Sequence, residues 1–183
     1  MNRCSWCGND ELYTKYHDEE WGVPVHDDKK HFEFLVLESA QAGLSWITIL
    51  RKRENYREAY DDFDAIKVSQ YDEKKIEELL SNAGIIRNRR KIEASISNAK
   101  EFLKIQNEFD SFDNYIWSFV SNKQIINHWD NLSQLPSNTD LSDRISKDLK
   151  KRGFKFLGTT IVYSYLQAVG IIDDHIDTCF KRN

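Results

Sequence analysis

A chain of 183 residues with 40% hydrophobic and 13% aromatic content can bury a sizeable core, which excludes a disordered polyelectrolyte. Its net charge of −4 gives no global basic field, so any nucleic-acid partner has to meet a local patch. No apolar run approaches the ~18 residues of a membrane span and nothing resembles an export leader, so a cytoplasmic monomer without a membrane partner is expected.

Seven glycines and two prolines among many Glu, Lys, Leu and Ile residues favour helices over strands. The expected fold is all-α, in one domain over 1–183. Residues 3–22 set Trp6, Tyr13, Tyr16 and Trp21 among turn formers. So many amphipathic rings in a loop-like segment suit a pocket wall, although plain core anchoring accounts for them nearly as well.

Residues 31–53 are the stretch around which the rest is arranged. Phe32, Phe34, Leu35, Val36, Leu37, Ala40 and Ala42 leave almost no polar stripe at 100° per residue, the mark of a helix buried on most sides. Glu38 interrupts it, and a carboxylate there must be paired, hydrogen-bonded or functional. Gly43 then breaks the helix, Ser45 is placed to cap a second one, and Trp46 opens it.

Further along, Ile76, Leu79, Leu80 and Ala83 make a stripe that stops at Gly84, and Ile92, Ile96, Ala99 and Leu103 make another. The spacing predicts an αα-hairpin over about 73–104 with a short loop. Aromatic helices are expected near 110–120 and 160–169, an amphipathic one over 141–151, and loops or short helices over 121–142.

Three groups of residues could carry chemistry. The first is Cys4, Cys7, His17, His175 and Cys179. Three cysteines cannot all pair, and metal ligation accounts for them better than disulfides in a chain without an export leader. A tetrahedral site from Cys4, His17, His175 and Cys179 would fasten the two chain ends (1–22 and 171–183), with His175 and Cys179 on one helical face. Cys4-x-x-Cys7 is itself a metal-type spacing, so Cys7 could replace one of the four; ordinary buried thiols and imidazoles are the plain alternative. The second group is Arg87, Arg89, Arg90 and Lys91, at a loop and a helix N-terminus, where exposed N–H groups and cations could clamp phosphate. A second cluster, Lys147, Lys150, Lys151, Arg152 and Lys155, lies near Gly153, and a solvated face is the commoner meaning of either one. The third is Glu38 with Tyr16, Trp46, Trp6, Tyr13 and Trp21, one acceptor with several stacking planes, suited to a flat cationic heterocycle; taken alone, a Glu–Arg pair amid core rings explains it as well.

Taken in order, Arg3-Cys4-x-Trp6, Tyr16-His17-Asp18-x-Glu20-Trp21-Gly22-Val23-Pro24, the segment from Gln41 to Thr48, Lys52 to Arg57, Ala83 to Arg87, Trp117 to Val120, Lys150 to Lys155, Gly158 to Ile161, and Asp174-His175 with Cys179 resemble the 3-methyladenine DNA glycosylase I family of the helix-hairpin-helix superfamily. The resemblance runs nearly end to end. It implies a helix-hairpin-helix fold, double-stranded alkylated DNA as partner and free 3-methyladenine as product. It also implies one structural Zn²⁺ per chain on Cys4, His17, His175 and Cys179, Glu38 contacting the methylated adenine, Tyr16 helping to bind it, Trp46 stacking on it, and Trp6, Tyr13 and Trp21 lining the cavity. Leu44, at the glycine turn, is the expected wedge in the duplex, and Gly84 belongs to the DNA-binding hairpin. Two features depart from the pattern: Cys7 is an extra thiol, and the hairpin keeps Gly84 but has Ile86 where its superfamily has a second glycine. No lysine matches a Schiff-base nucleophile, so a monofunctional glycosylase is expected. A zinc-stabilised DNA-binding or damage-sensing module without catalysis is the rival class; it gives no reason for a carboxylate inside so apolar a helix.

Overall fold

The computed structural model describes residues 2–182 as a mostly helical molecule with nine α-helices. At its centre lies α2, Asp28–Gln41, in which every residue from His31 to Ala40 is buried. It packs against α3 (Trp46–Ala59), α6 (Arg89–Phe109), α7 (Phe112–Ser118) and α9 (Thr159–Ala168), which accounts for the missing polar stripe. Asp27 caps its start by accepting from the Lys30 N–H.

The hairpin is present, with its second arm longer than expected. It comprises α5 (Glu73–Ser81) and α6, and α6 runs on to a left-handed Asp110. Arg89 bridges the arms by pairing with Glu73 and Glu77 of α5 and with Glu93 of its own helix. Gly84, in the connecting loop, lies against α3: a Cβ there would meet Asn55 Cβ and Cγ at 2.9 Å. The amphipathic α8 (Asp140–Arg152) packs on α9, and its start carries a reciprocal Thr139–Ser142 cap.

Four expectations are corrected. The 3–22 segment is not loop-like throughout; Asp10 accepts from the Tyr13 N–H and so caps α1, Glu11–Glu19. Ser45 stands at the N-cap of α3, but its hydroxyl pairs with that of Thr48, 2.7 Å away, rather than with a backbone N–H. The fold is not purely helical, because Ile125–Ile126 (β1) and Ile172–Asp173 (β2) pair in parallel. His175 and Cys179 do not share a helical face. The buried Asp174 carboxylate accepts from Asn127, Trp129, Tyr163 and Gln167, which holds this segment as a bridge and turn. A fifth element went unforeseen: α4, Ala65–Ser69, which follows three residues in the left-handed region (Asp61 to Phe63) and packs on α6.

Candidate active site

Two glutamates of α2 are almost fully buried, Glu33 at 2% exposure and Glu38 at 3%. Glu33 is paired with Lys30, Arg53 and Arg57 at 3.0, 2.7 and 3.1 Å, and its carboxyl is held below the usual range. Glu38 has none of this. Its Oε2 has no hydrogen-bond partner among the described residues, and burial alone pushes its pKa up to about 8. The Glu–Arg pairing that could have explained Glu38 belongs to Glu33 instead.

Glu38 lines a cavity of about 210 Å³, far beyond the roughly 10–15 Å³ that a single water needs on such a measure. Its walls come from four parts of the chain. Trp6 stands on a 3₁₀ turn, Tyr13 and Tyr16 lie three apart on α1, and Trp21 follows that helix. Glu38 and Gln41 share one face of α2, Trp46 opens α3, and Ser164 and Gln167 share one face of α9. Leu135 closes it from the 127–139 loop. The rings are mutually packed: Tyr16 and Trp46 centroids are 5.6 Å apart, Trp6 and Tyr13 4.9 Å, Trp6 and Trp21 5.0 Å. The indole N–H groups of Trp6 and Trp46 are buried without a partner, so this cavity holds three of the four such side-chain atoms among the described residues. A flat ligand with polar edges would satisfy them.

All six pocket residues expected from the sequence therefore meet. Gln41, Leu135, Ser164 and Gln167 were missed. Ser164 alone had a structural signal of its own: the other serines within α-helices each donate to a backbone carbonyl, and its hydroxyl has no partner among the described residues.

The fourth partnerless atom, His175 Nε2, marks a second centre. Cys4, His17 and Cys179 offer ligand atoms within 4.8 Å of one another, and the His17 and His175 rings lie 4.9 Å apart. Each imidazole is fixed through Nδ1 by a carboxylate, His17 by Asp18 at 2.7 Å and His175 by Asp173 at 2.6 Å. Each carboxylate is in turn paired with an arginine from a chain end, Arg3 or Arg182. With Nδ1 so engaged, Nε2 is the nitrogen each ring turns to the cluster, the usual orientation of metal-ligating histidines. That of His17 accepts from the Cys4 N–H at 3.3 Å and lies 3.6 Å from Cys179 Sγ, and that of His175 has no partner among the described residues. Cys7 is buried nearby, but its thiol donates to the Cys4 carbonyl oxygen at 3.1 Å and lies outside the cluster.

The basic hairpin is divided. Arg87 and Arg90 are exposed, with no ion pair among the described residues, whereas Arg89 is occupied by its three glutamates. Lys91 reaches back and donates to the carbonyl oxygens of Ala40 and Ala42 at 2.8 and 2.7 Å. Leu44, on the turn after α2, is 38% exposed. Asp113, at the start of α7 just beyond the hairpin, accepts from or pairs with His31 and His26 at 2.9 and 3.1 Å, and His31 in turn bonds the Tyr165 hydroxyl at 2.7 Å.

Comparison with known proteins agrees with this geometry. The chain is 50% identical over 179 residues to DNA-3-methyladenine glycosylase 1 of Escherichia coli, covering 98% of this chain and 96% of that one. A crystal structure of 3-methyladenine DNA glycosylase I superposes with a TM-score of 0.96 at 50% identity over the whole of both chains. A variant of such an enzyme in complex with 3-methyladenine superposes equally well (0.96) at 40% identity, covering 100% of this chain and 98% of that one. The family model described as methyladenine glycosylase matches residues 6–182. With that match across nearly its whole length, the chain belongs to the methyladenine glycosylase family.

Proposed function

We propose that this chain is a monofunctional DNA glycosylase that flips 3-methyladenine out of alkylated duplex DNA and hydrolyses its N-glycosidic bond. One observation carries the reading: a partnerless carboxyl inside a ring-lined cavity, its pKa raised to about 8 by burial. A carboxylate in such a place has nothing to oppose until a cation arrives, and a base methylated at N3 brings both a positive charge and amino donors. Methylation also improves the leaving group, because the glycosidic electron pair that departs with the base neutralises its charge. The site's task is then extrusion, discrimination and electrostatic support as the sugar becomes cationic, rather than strong acid catalysis. Water supplies the hydroxyl that ends on C1′, and its proton returns to solvent. No side chain is assigned to that water; Asp113 is engaged by two histidines and is not among the residues lining the cavity.

In this reading Tyr16 and Trp46 flank the base, Trp6, Tyr13 and Trp21 complete the slot, and Glu38 accepts from its edge. Leu44 fills the gap left in the duplex, while Arg87 and Arg90, at a helix-hairpin-helix element in which Gly84 allows close packing, meet the phosphates. Cys4, His17, His175 and Cys179 would hold one zinc ion, which when bound supplies a structural cross-link of the chain ends and no chemistry at the base. No helix among the described residues is long and apolar enough to cross a membrane.

Chromatography of bases freed from methylated DNA tests the proposal. Release of 3-methyladenine is expected. Binding of that DNA without release would instead support a non-catalytic damage sensor.

A further inference from the structure

The C-terminal turn of α2 sits between the cavity and the hairpin, and its carbonyl groups have few partners. Gln41 O accepts from the Leu44 N–H at 2.7 Å, and the Gln41 side-chain amide donates to Leu44 O at 2.7 Å. The turn pivots on Gly43 at φ +83°, has no proline and presents Leu44 to solvent. Left to itself, such a turn is braced only by these two Gln41–Leu44 bonds, both internal to it. The carbonyls of Ala40 and Ala42, which bracket Gln41, are both taken by Lys91 Nζ.

Lys91 is the third residue of α6, beyond the cap that Asn88 makes, and so belongs to the same helix start as exposed Arg90. Its ammonium is half-buried, pairs with no described carboxylate and has its pKa lowered by burial. Placed at the C-terminus of α2, it meets the negative end of that helix as well as two otherwise unbonded acceptors. A lysine whose purpose was to meet DNA phosphate would gain nothing from turning inward on two neutral carbonyls.

We propose that Lys91 is a positioning residue that locks the 42–45 turn to the DNA-binding hairpin. Contact of Arg87 and Arg90 with the backbone then delivers Leu44 to the duplex in fixed register with the cavity. The inference rests on the glycosylase reading above. It assigns Lys91 a role through the turn rather than through base or phosphate.

The test compares Lys91→Met, which keeps the stem and removes the donors, with Lys91→Arg, which can still serve two carbonyls. Four measurements separate the outcomes: kcat/KM on methylated duplex, affinity for free 3-methyladenine from quenching of the pocket tryptophans, fluorescence of 2-aminopurine beside an abasic analogue in a duplex, which reports wedge insertion, and the salt dependence of duplex affinity. K91M is expected to lose about tenfold or more in kcat/KM, with a reduced insertion signal and free-base affinity within about twofold. K91R should recover most of the loss. The slope of log affinity against log salt should stay at the wild-type value. A slope reduced by about 0.9 would make Lys91 a phosphate contact and overturn the proposal. So would wild-type insertion and kcat/KM in K91M, or loss of free-base binding in step with kcat/KM, which would mean that the pocket itself had collapsed. If the wild-type chain frees no base, the glycosylase reading fails, while the insertion signal still decides the role of Lys91.

Discussion

Glu33 and Glu38 stand five residues apart on one buried helix, and their surroundings set them to opposite tasks. Three cations hold Glu33 ionised, whereas Glu38 in its ring-lined cavity is the stronger proton holder, at a pKa of about 8. If its carboxylate form is what supports a cationic base, kcat/KM should rise with pH along a limb centred near 8, while kcat, which reports the occupied site, should rise at lower pH. Glu38→Gln should flatten that limb and cut base release by about 10²-fold or more; a variant as active as wild type with the limb intact would end the assignment. The same group shapes stability with a definite sign. Its folded pKa lies above its unfolded value, so the folded state holds an extra proton between pH 4.5 and 8 and stability falls as pH rises through that window, by on the order of 5 kcal/mol in all. Ligand-free E38Q should therefore melt well above wild type at pH 9 and only slightly differently at pH 4.5, as paired thermal scans would record. Ser164 makes a smaller prediction: Ser164→Ala should weaken free 3-methyladenine by about 0.5–1.5 kcal/mol, as loss of one hydrogen bond does, with the melting temperature unchanged. Unaltered binding would place its hydroxyl outside the recognition set.

At the scale of elements, what the sequence disclosed depended on how far each signal had to reach. The buried character of α2 and the two arms of the hairpin follow from local periodicity, and both are present. The α1 helix was obscured because its apolar residues are only Leu12, Tyr13 and Tyr16, too few for a stripe, with Leu12 left exposed. Four cavity residues escaped notice for a related reason. Gln41, Leu135, Ser164 and Gln167 are unremarkable polar or apolar residues in their own segments, and only the packing of α9 on α2, more than a hundred residues away, brings two of them to the cavity that Glu38 lines. Conversely Arg89 and Lys91 looked like part of a clamp, because cation spacing cannot reveal that Glu73 and Glu77 or the end of α2 already hold them. Gly84 shows an element-level constraint directly: besides Asn55, its Cβ would meet Asn82 Oδ1 at 2.9 Å, the atom that accepts from the Gly84 N–H. Gly84→Ala should push the hairpin loop off α3 and destabilise the fold by about 1–3 kcal/mol. Duplex affinity should fall with it while free-base affinity holds; an unchanged melting temperature would show that the loop relaxes without cost.

The whole molecule is closed on itself at its two ends. The Phe180 N–H donates to Asn2 O at 2.9 Å, Lys181 reaches Asp18 O at 2.8 Å, and Arg3 and Arg182 brace the carboxylates behind His17 and His175. Between them lies a buried cluster whose Cys4 thiol is pushed up to about 12 by burial first and by the neighbouring Cys179 and Cys7 thiols, and whose His175 Nε2 has no partner among the described residues. Three such groups facing one another, with the His175 ring beside them, would be a costly arrangement without a cation, whereas a zinc ion would take both thiols as thiolates and both imidazole lone pairs. Trp6, Tyr13, Tyr16 and Trp21, a whole wall of the cavity, belong to the segment that this cluster ties down. The protein should accordingly purify with about one zinc per chain, and stripping it with a strong chelator should lower the melting temperature and weaken free 3-methyladenine binding together. Cys179→Ser should reproduce both losses, while Cys7→Ser should keep the metal, since its thiol lies outside the cluster. Because the hairpin is built from α5 and α6 and packs on α3 and α4, affinity for undamaged duplex should survive chelation better than base recognition does. Metal-free protein with an unchanged melting curve would remove zinc from the account and leave the cluster as packing alone.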